Sequence, residues 1–200
     1  MNTDTDTRAI TTARVSARDF HALLAGALTH ADKDQTRSRI SGVYLWREGG
    51  RIFATATDRF RLIEGNIEGE GEGDSAPIRL AYGDVKALIS TLSKEKAGQI
   101  EITLAGDLVS VSVRGNTLTL TAYADECPPY AHLFPSEGQS PIDMPAISLN
   151  PSFLADYGKI VGKKGQTIIR QYQSQRPYEI TLIGELGGVV WRALLMPMKF

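Results

Sequence analysis

The feature that most constrains this chain is one pattern of apolar residues that occurs three times. The copies lie about 65 to 70 residues apart, a period typical of repeat architectures. In chain order they are Val15, Phe20, Leu23 and Leu24; Leu80, Val85, Leu88 and Ile89; and Leu149, Leu154 and Tyr157, with Gly158 in the last position. The spacing within a copy is typical of a strand end followed by an amphipathic helix. It predicts three copies of one unit, although three strand–helix units can also pack into an α+β domain without any repeat.

Helix start signals follow the first apolar residue in two of the copies. Ser16 with Asp19 resembles a capping box in which Asp replaces Glu. Asn150 followed by Pro151 is an N-cap with proline at the first helical position. We predict helices over residues 17–30, 83–93 and 151–161.

Strands are predicted after each helix, so the unit is a strand, a helix and then about three strands. Alternating polar and apolar residues at 110–113 and 117–120 indicate a sheet with one buried face. The glycine-rich acidic segment 64–74 predicts a solvated loop, and 135–144, rich in Pro, Ser and Gly, a domain boundary. The predicted strands are 40–47, 51–57, 99–104, 108–114, 117–123, 167–173, 178–183 and 189–196. The fold class is therefore α+β with three strand–helix–strands repeats.

Composition excludes several classes of protein. The formal net charge is −1, so no overall positive field attracts the chain to nucleic acid, and a DNA role would need locally sorted charge. The single cysteine, Cys127, allows no intramolecular disulfide, which favours a reducing cytoplasm. Because no window approaches eighteen apolar residues, no membrane span is expected. Residues 1–7 are polar and are predicted to form a disordered tail.

Four short segments carry a resemblance to a known family. They are residues 40–44 (ISGVY), 56–62 (ATDRFRL), 128–135 (PPYAHLFP) and 194–200 (LLMPMKF). In this order and spacing they resemble the bacterial DNA polymerase sliding clamp, the processivity (beta) subunit of the replicative polymerase. The sequence departs from the family at Arg59, where a small residue is usual, and at Phe60, where a polar or aromatic residue is frequent.

The resemblance implies a DNA-clamp fold with one complete clamp domain and one half domain. Residues 8–135 would correspond to the family's middle domain with two repeats, 136–144 to a linker, and 145–200 to the second half of its last domain. The implied function is that of a DNA sliding clamp, a non-enzymatic processivity factor, in a form so short that it suggests a phage. The implied partners are DNA polymerase and other proteins with a short hydrophobic motif, duplex DNA bound without sequence specificity, a clamp loader and further copies of the chain, as a dimer or tetramer.

The resemblance also implies a groove that binds partner peptides. Methionines around Pro197 suit a surface that adapts to several partners, because the flexible thioether side chain repacks easily. Two alternatives stay open: the leucines are core residues, or Arg61 is a salt-bridge partner of Asp58 and not a contact to peptide. The implied residues are Ile40, Thr57, Phe60, Arg61, Leu62, Pro128, His132, Leu133, Leu194, Leu195, Met196, Pro197 and Met198.

Basic residues near the helix ends are the candidates for DNA contact, since a clamp turns its helices toward the duplex. The same positions also complement the helix dipole, which explains basic residues there without DNA. The candidates are Lys33, Arg37, Lys94, Lys96, Lys159, Lys163 and Lys164.

No enzyme constellation stands out in the sequence. Residues 162–167 lack the spacing of a phosphate-binding loop and follow a helix where such a loop precedes one. His21, His30 and His132 are not at metal-ligand spacing. We predict no catalytic residues, no metal site and no cofactor. Two functions remain: a ring-forming clamp, for which about four chains would complete a family-sized ring, and a non-encircling peptide-binding module.

Overall fold

The computed structural model describes residues 10–34, 36–95, 98–124, 126–143, 147–173, 176–184 and 187–198. Lys96, the predicted tail over residues 1–7 and residues 144–146 at the predicted boundary lie outside this set. The described residues form these elements: β1 (Thr11–Ser16), α1 (Ala17–Leu28), β2 (Val43–Glu48), β3 (Arg51–Thr57), β4 (Arg61–Glu68), β5 (Ile78–Leu80), α2 (Tyr82–Leu92), β6 (Gln99–Ala105), β7 (Leu108–Val113), β8 (Asn116–Tyr123), α3 (Pro151–Val161), β9 (Gln166–Arg170), β10 (Tyr178–Ile183) and β11 (Val190–Leu195).

The helices α1 and α3 begin where the sequence predicts, for the predicted reason, whereas α2 begins at Tyr82, one residue early, and its N-cap Ala81 makes no side-chain hydrogen bond. Ser16 Oγ accepts a hydrogen bond from the Asp19 amide at 3.3 Å, and Asn150 Oδ1 accepts one from the Ser152 amide at 2.9 Å. The Asp19 carboxylate accepts from the Gly188 amide at 3.1 Å. This residue therefore joins the first helix to the chain just before β11.

The prediction of a loop over residues 64–74 is wrong for its first part. Arg61–Glu68 is the strand β4, which pairs with β3 on one side and β11 on the other. Residues 61–65 are buried on both faces, so Glu64 and Gly65 do not indicate solvent, and only Glu68 at the strand end is exposed. Conversely, residues 147–150 before α3 form no strand, although the Met198 amide donates to the Ser148 carbonyl at 2.9 Å.

The described strands form one antiparallel sheet in the order β1-β6-β7-β8-β5-β2-β3-β4-β11-β10-β9. The first two units exchange their leading strands, because β1 pairs with β6 of the second unit and β5 pairs with β2 of the first. The third unit joins the first through β11 and β4. This arrangement, with α1 in contact with both α2 and α3, confirms the α+β fold with three related units.

The main core lies between the helices and one face of the sheet, and Phe20, Leu23 and Leu24 of α1 are at its centre. We call the other face of the sheet the outer face. The segment between β8 and α3 crosses it, since the Tyr44 hydroxyl donates to the Glu126 carbonyl at 3.2 Å and Ile142 bridges to Gln171. In the part of the chain that the structure describes, no helix is long and apolar enough to span a membrane.

Candidate peptide-binding groove

A tight turn between β3 and β4 is the centre of the candidate site. Asp58 Oδ1 accepts hydrogen bonds from the amides of Phe60 and Arg61, each at 3.1 Å. Arg59 has φ +78°, a left-handed conformation that is uncommon for a residue other than glycine. The turn therefore has a defined shape, and it leaves the Phe60 side chain 55% exposed.

The end of β11 runs beside this turn. Leu194 pairs with Leu62 and Leu195 with Arg61, and the Met196 amide donates to the Phe60 carbonyl at 2.7 Å. The backbone contacts of Met196 and Met198 and the pairing of Phe60 with Phe153 bring four apolar residues to this end of the sheet, and we call Phe60, Phe153, Met196 and Met198 the apolar patch. Within it the rings of Phe60 and Phe153 stack with centroids 6.5 Å apart, and Met196 is 39% exposed.

Strand alternation separates the two predicted leucines of β11. Leu195 is fully buried in the core on the helix side, as is Ile63 on the neighbouring strand. Since successive residues of a strand point to opposite faces, Leu194 and Leu62 lie on the outer face, where they are also buried, at 2% and 6% exposure. The prediction that Leu195 lines the groove is therefore corrected. Its side chain packs against the helices, and a charge there would disrupt the fold.

The remaining predicted groove residues lie on segments that approach the same face. Thr57 ends β3, and its hydroxyl donates to the Arg61 carbonyl at 2.8 Å. Pro197 lies between the two methionines of the patch. Ile40, Pro128 and Leu133 are half-buried and His132 is exposed, on the turn before β2 and on the segment that crosses the outer face.

Arg61 is one of the best-connected side chains near the groove. Its guanidinium donates to Asp58 Oδ2 at 2.9 Å, to Asp156 Oδ2 at 2.6 Å and to the Thr29 carbonyl at 2.7 Å. It also stacks over the Phe153 ring, 4.4 Å from the centroid. Of the two alternatives, the salt bridge with Asp58 is observed. A contact between Arg61 and peptide stays a prediction.

Hydrogen bonds to Asp156 decide its ionisation. Burial opposes the charged carboxylate, but hydrogen bonds from Lys159 and Arg61 outweigh it and hold the pKa of Asp156 below its ordinary value. Asp156 is therefore a carboxylate that ties α3 to the β3–β4 turn.

A second network holds the segment that crosses the outer face. Glu64 accepts from Arg192 at 2.7 and 3.0 Å and from the Tyr130 hydroxyl. Burial, together with the hydrogen bond to Glu64, raises the pKa of Tyr130. Sequence reasoning missed Glu64, because it placed the residue in a solvated loop, and only the pairing of β4 with β11 brings it to Arg192.

Burial also raises the pKa of Cys127, to about 11, which keeps its thiol protonated near neutral pH.

His30 is a buried titratable group beneath the Arg61 network. Its Nδ1 lies 2.7 Å from Thr29 Oγ1, while its Nε2 has no hydrogen-bond partner within the described residues. Burial, reinforced by the charge of Arg61, lowers the pKa of His30 from 6.5 to about 3. The folded chain therefore holds a neutral imidazole.

This burial predicts a loss of stability in mild acid. Below pH 6.5 the unfolded chain takes up a proton that folded His30 excludes, so its contribution is complete above that pH and is lost as the pH falls toward 3. Between pH 6.5 and 5 the free energy of unfolding is expected to fall by about 2 kcal/mol from this group. Urea unfolding across this range measures it. A His30→Leu variant should lose the slope and a His132→Leu variant should keep it; equal slopes in all three proteins would contradict the assignment.

The predicted basic residues that the structure describes are all exposed: Lys33, Arg37, Lys94, Lys159, Lys163 and Lys164. Two of them are engaged in ion pairs, Arg37 with Asp32 at 2.9 Å and Lys159 with Asp156 at 2.6 Å. Two further basic residues, Arg18 and Lys86, which were not among the predicted ones, are also exposed, on α1 and α2. Their positions off the apolar stripe of each helix were the available signal.

This sheet with its row of helices defines the DNA-clamp fold, which solved structures share. The DNA polymerase III beta subunit of Thermotoga maritima superposes with a TM-score of 0.80 at 17% identity, covering 100% of this chain and 70% of that chain. The sliding clamp of Pseudomonas aeruginosa gives 0.79 at 14%, covering 95% and 67%. Caulobacter crescentus pol III beta gives 0.75 at 16%, covering 100% and 68%. No family model and no curated protein matches the sequence. The chain thus has the fold of bacterial sliding clamps in a shortened form.

Proposed function

We propose that this protein is a DNA sliding clamp that binds polymerase and other replication proteins through the apolar patch while it is associated with duplex DNA. The observation that supports this most is the exposed patch at the β3–β4 turn and the end of β11, on a fold shared with bacterial clamps. An adaptable, methionine-containing surface beside a rigid turn suits a binding hub and not a catalyst. The cytoplasmic location stays a prediction.

The proposed ligand is a short peptide with one or two aliphatic or aromatic anchors. Phe60 and Met196 offer exposed apolar contact area, next to the paired residues Leu62 and Leu194, which are 6% and 2% exposed on the outer face. Because Arg59 and Phe60 depart from the family pattern, we expect the preferred peptide to differ from that of other clamps. The proposed groove comprises the apolar patch (Phe60, Phe153, Met196 and Met198) together with Thr57, Leu62, Pro128, Leu133 and Leu194.

Replacing Met196 by aspartate tests the groove. The side chain is 39% exposed, so the fold is expected to tolerate the change, while peptide binding would bury an unpaired charge. Affinity for a clamp-binding peptide is expected to fall by a factor of about 30 or more, or roughly 2 kcal/mol. Titration of a fluorescent peptide measures it, with Leu108→Asp, exposed on β7 away from the groove, as the matched control. Unchanged affinity in Met196→Asp would place the pocket elsewhere.

DNA is proposed to contact the helix side, where Arg18, Lys86 and Lys159 are exposed on three different helices. Lys86→Glu is expected to weaken binding to duplex DNA and to reduce the slope of log affinity against log salt by about 1. Fluorescence anisotropy over a salt series measures this. Arg176→Glu, in the connection between β9 and β10, serves as the control. Equal slopes for Lys86→Glu and the unmodified protein would remove Lys86 from the DNA face.

The alternative is a non-encircling module that recruits or competes for clamp-binding partners. The observation that favours it is that the third unit is unpaired within the described residues. It has one helix and three strands, whereas the first two units exchange strands with each other. Synthesis by the cognate polymerase on primed circular DNA separates the two functions. Longer products in the presence of the protein support the clamp, and inhibition reversed by excess resident clamp supports the module.

A further inference from the structure

The first two units show how one unit of this fold completes another. In each unit, the strand before the helix pairs with the strand that follows the helix of the other unit. Val15 of β1 pairs with Ile100 of β6, and Leu80 of β5 pairs with Val43 of β2. Val15 and Leu80 each stand immediately before the N-cap of the following helix. The exchange is therefore reciprocal and has the same register in both directions.

The third unit contains both halves of this exchange. Leu149 stands immediately before the N-cap Asn150, so residues 147–149 correspond to the leading strands. The first strand after its helix is β9, the counterpart of β2 and β6. Within the described residues β9 pairs along its length only with β10, and Ile142 bridges to Gln171 just beyond its end. The other edge of β9 is thus available.

Burial shows that the third unit lacks what the first two give each other. Phe20 and Val85, which occupy the same helix position in the first two units, are both 0% exposed. Leu154, at this position in the third unit, is 36% exposed. Ile147 is 38% exposed, whereas Ala13 and Ile78 at the same position of their strands are buried.

The strand and the helix of this unit repeat the pattern. Ile169 is half-buried, while its counterparts Leu45 and Ile102 are fully buried. A Cβ built on Gly158 would meet no atom within 4 Å. These open positions lie on the elements that the exchange would cover.

We propose that a second copy of this chain completes the third unit by a two-fold strand exchange. Residues 147–149 of each copy would pair antiparallel with β9 of the other, in the register Thr167 with Leu149, Ile168 with Ser148 and Ile169 with Ile147. The surface is self-complementary, since each copy supplies one leading segment and one free edge, as a two-fold interface requires. The third units of the two copies would then form an exchanged pair. It would resemble the pair that the first two units form within one chain, over the proposed domain 8–135. This goes beyond the proposed function, because it rests on strand pairing and burial and not on peptide or DNA.

Disulfide trapping tests the register. In a Cys127→Ser background, Ser148→Cys together with Ile168→Cys places two thiols on directly opposed residues of different copies. Mild oxidation is expected to give a covalent dimer on a non-reducing gel, and each single cysteine variant is expected to give none. A double variant that stays monomeric, or single variants that dimerise as readily, would overturn the register.

Solution mass tests the partner. The unmodified chain is expected to be a dimer, or a multiple of one, in light scattering at micromolar concentration. Leu154→Asp is expected to halve that mass or shift the dissociation constant at least tenfold, because it buries a charge only in the dimer. Leu108→Asp should leave the mass unchanged, and circular dichroism should confirm that both variants are folded. A monomeric unmodified chain, or a Leu154→Asp variant of unchanged mass, would overturn the proposal whatever the peptide titration shows.

Discussion

Replacing Trp191 by alanine is expected to lower the free energy of unfolding by about 3 to 5 kcal/mol. Trp191 lies on β11 of the third unit and is buried against the first unit, where it fits over two glycines. A Cβ built on Gly26 or on Gly65 would lie 2.5 Å from the indole ring. Removal of the ring leaves a cavity between α1, β4 and β11. Urea unfolding followed by far-ultraviolet circular dichroism measures the loss.

The same contact predicts that the two positions are coupled. Gly65→Ala is expected to destabilise the unmodified protein by about 1 to 3 kcal/mol, because the new methyl group collides with the indole. In a Trp191→Ala background the same change should cost much less, since the space is already open. Gly83→Ala, at a position where a Cβ meets no atom within 4 Å, is the control. Additive effects of Gly65→Ala and Trp191→Ala would show that the third unit does not dock on the first through this ring.

Replacing Arg61 by methionine is expected to cost about 2 to 3 kcal/mol of unfolding free energy. The change leaves Asp58 and Asp156 without their shared cation in a mostly buried position, and loss of one partner of a buried ion pair typically costs about 3 to 5 kcal/mol. The partial exposure of both carboxylates lowers that figure. Arg59→Met, on the same turn with an exposed side chain, is the control and is expected to stay within about 0.5 kcal/mol.

Peptide titration of Arg61→Met separates its two proposed roles. If Arg61 acts only as the link between Asp58 and Asp156, peptide affinity should follow the loss of the turn's shape and recover in a variant that restabilises the fold elsewhere. If Arg61 also contacts peptide, affinity stays low in that restabilised variant. Unfolding free energy of Arg61→Met equal to that of the unmodified protein would contradict the observed network.

Strongly periodic elements were predictable from the sequence. The helix α3 has the predicted bounds, and Ser16 and Asn150 are the N-caps that their residue types indicate. The strands with clear alternation, such as β7, were predicted to within a residue or two. Here local hydrogen bonding and a single buried face act together, so the sequence pattern carries the necessary information.

Elements whose character depends on distant neighbours were not predictable. The strand β4 contains Gly65, which makes room for Trp191, and Glu64, which pairs with Arg192. Read locally, glycine and glutamate indicate a loop, so the prediction failed where a partner strand more than a hundred residues away changes their meaning. The same reason explains Leu195, since only the pairing with β4 shows which leucine of β11 faces the helices.

The sequence by itself determined the three units, their order and the segments that surround the candidate groove, because apolar spacing, caps and short motifs are local properties. Only the tertiary structure decided how the units combine. Strand exchange, the β4–β11 joint and the burial of Arg61 and Trp191 depend on contacts between residues far apart in the chain. Such contacts are set by three-dimensional packing. Packing leaves Phe60 and Met196 exposed and, among the residues that the structure describes, leaves one edge of β9 without a partner strand.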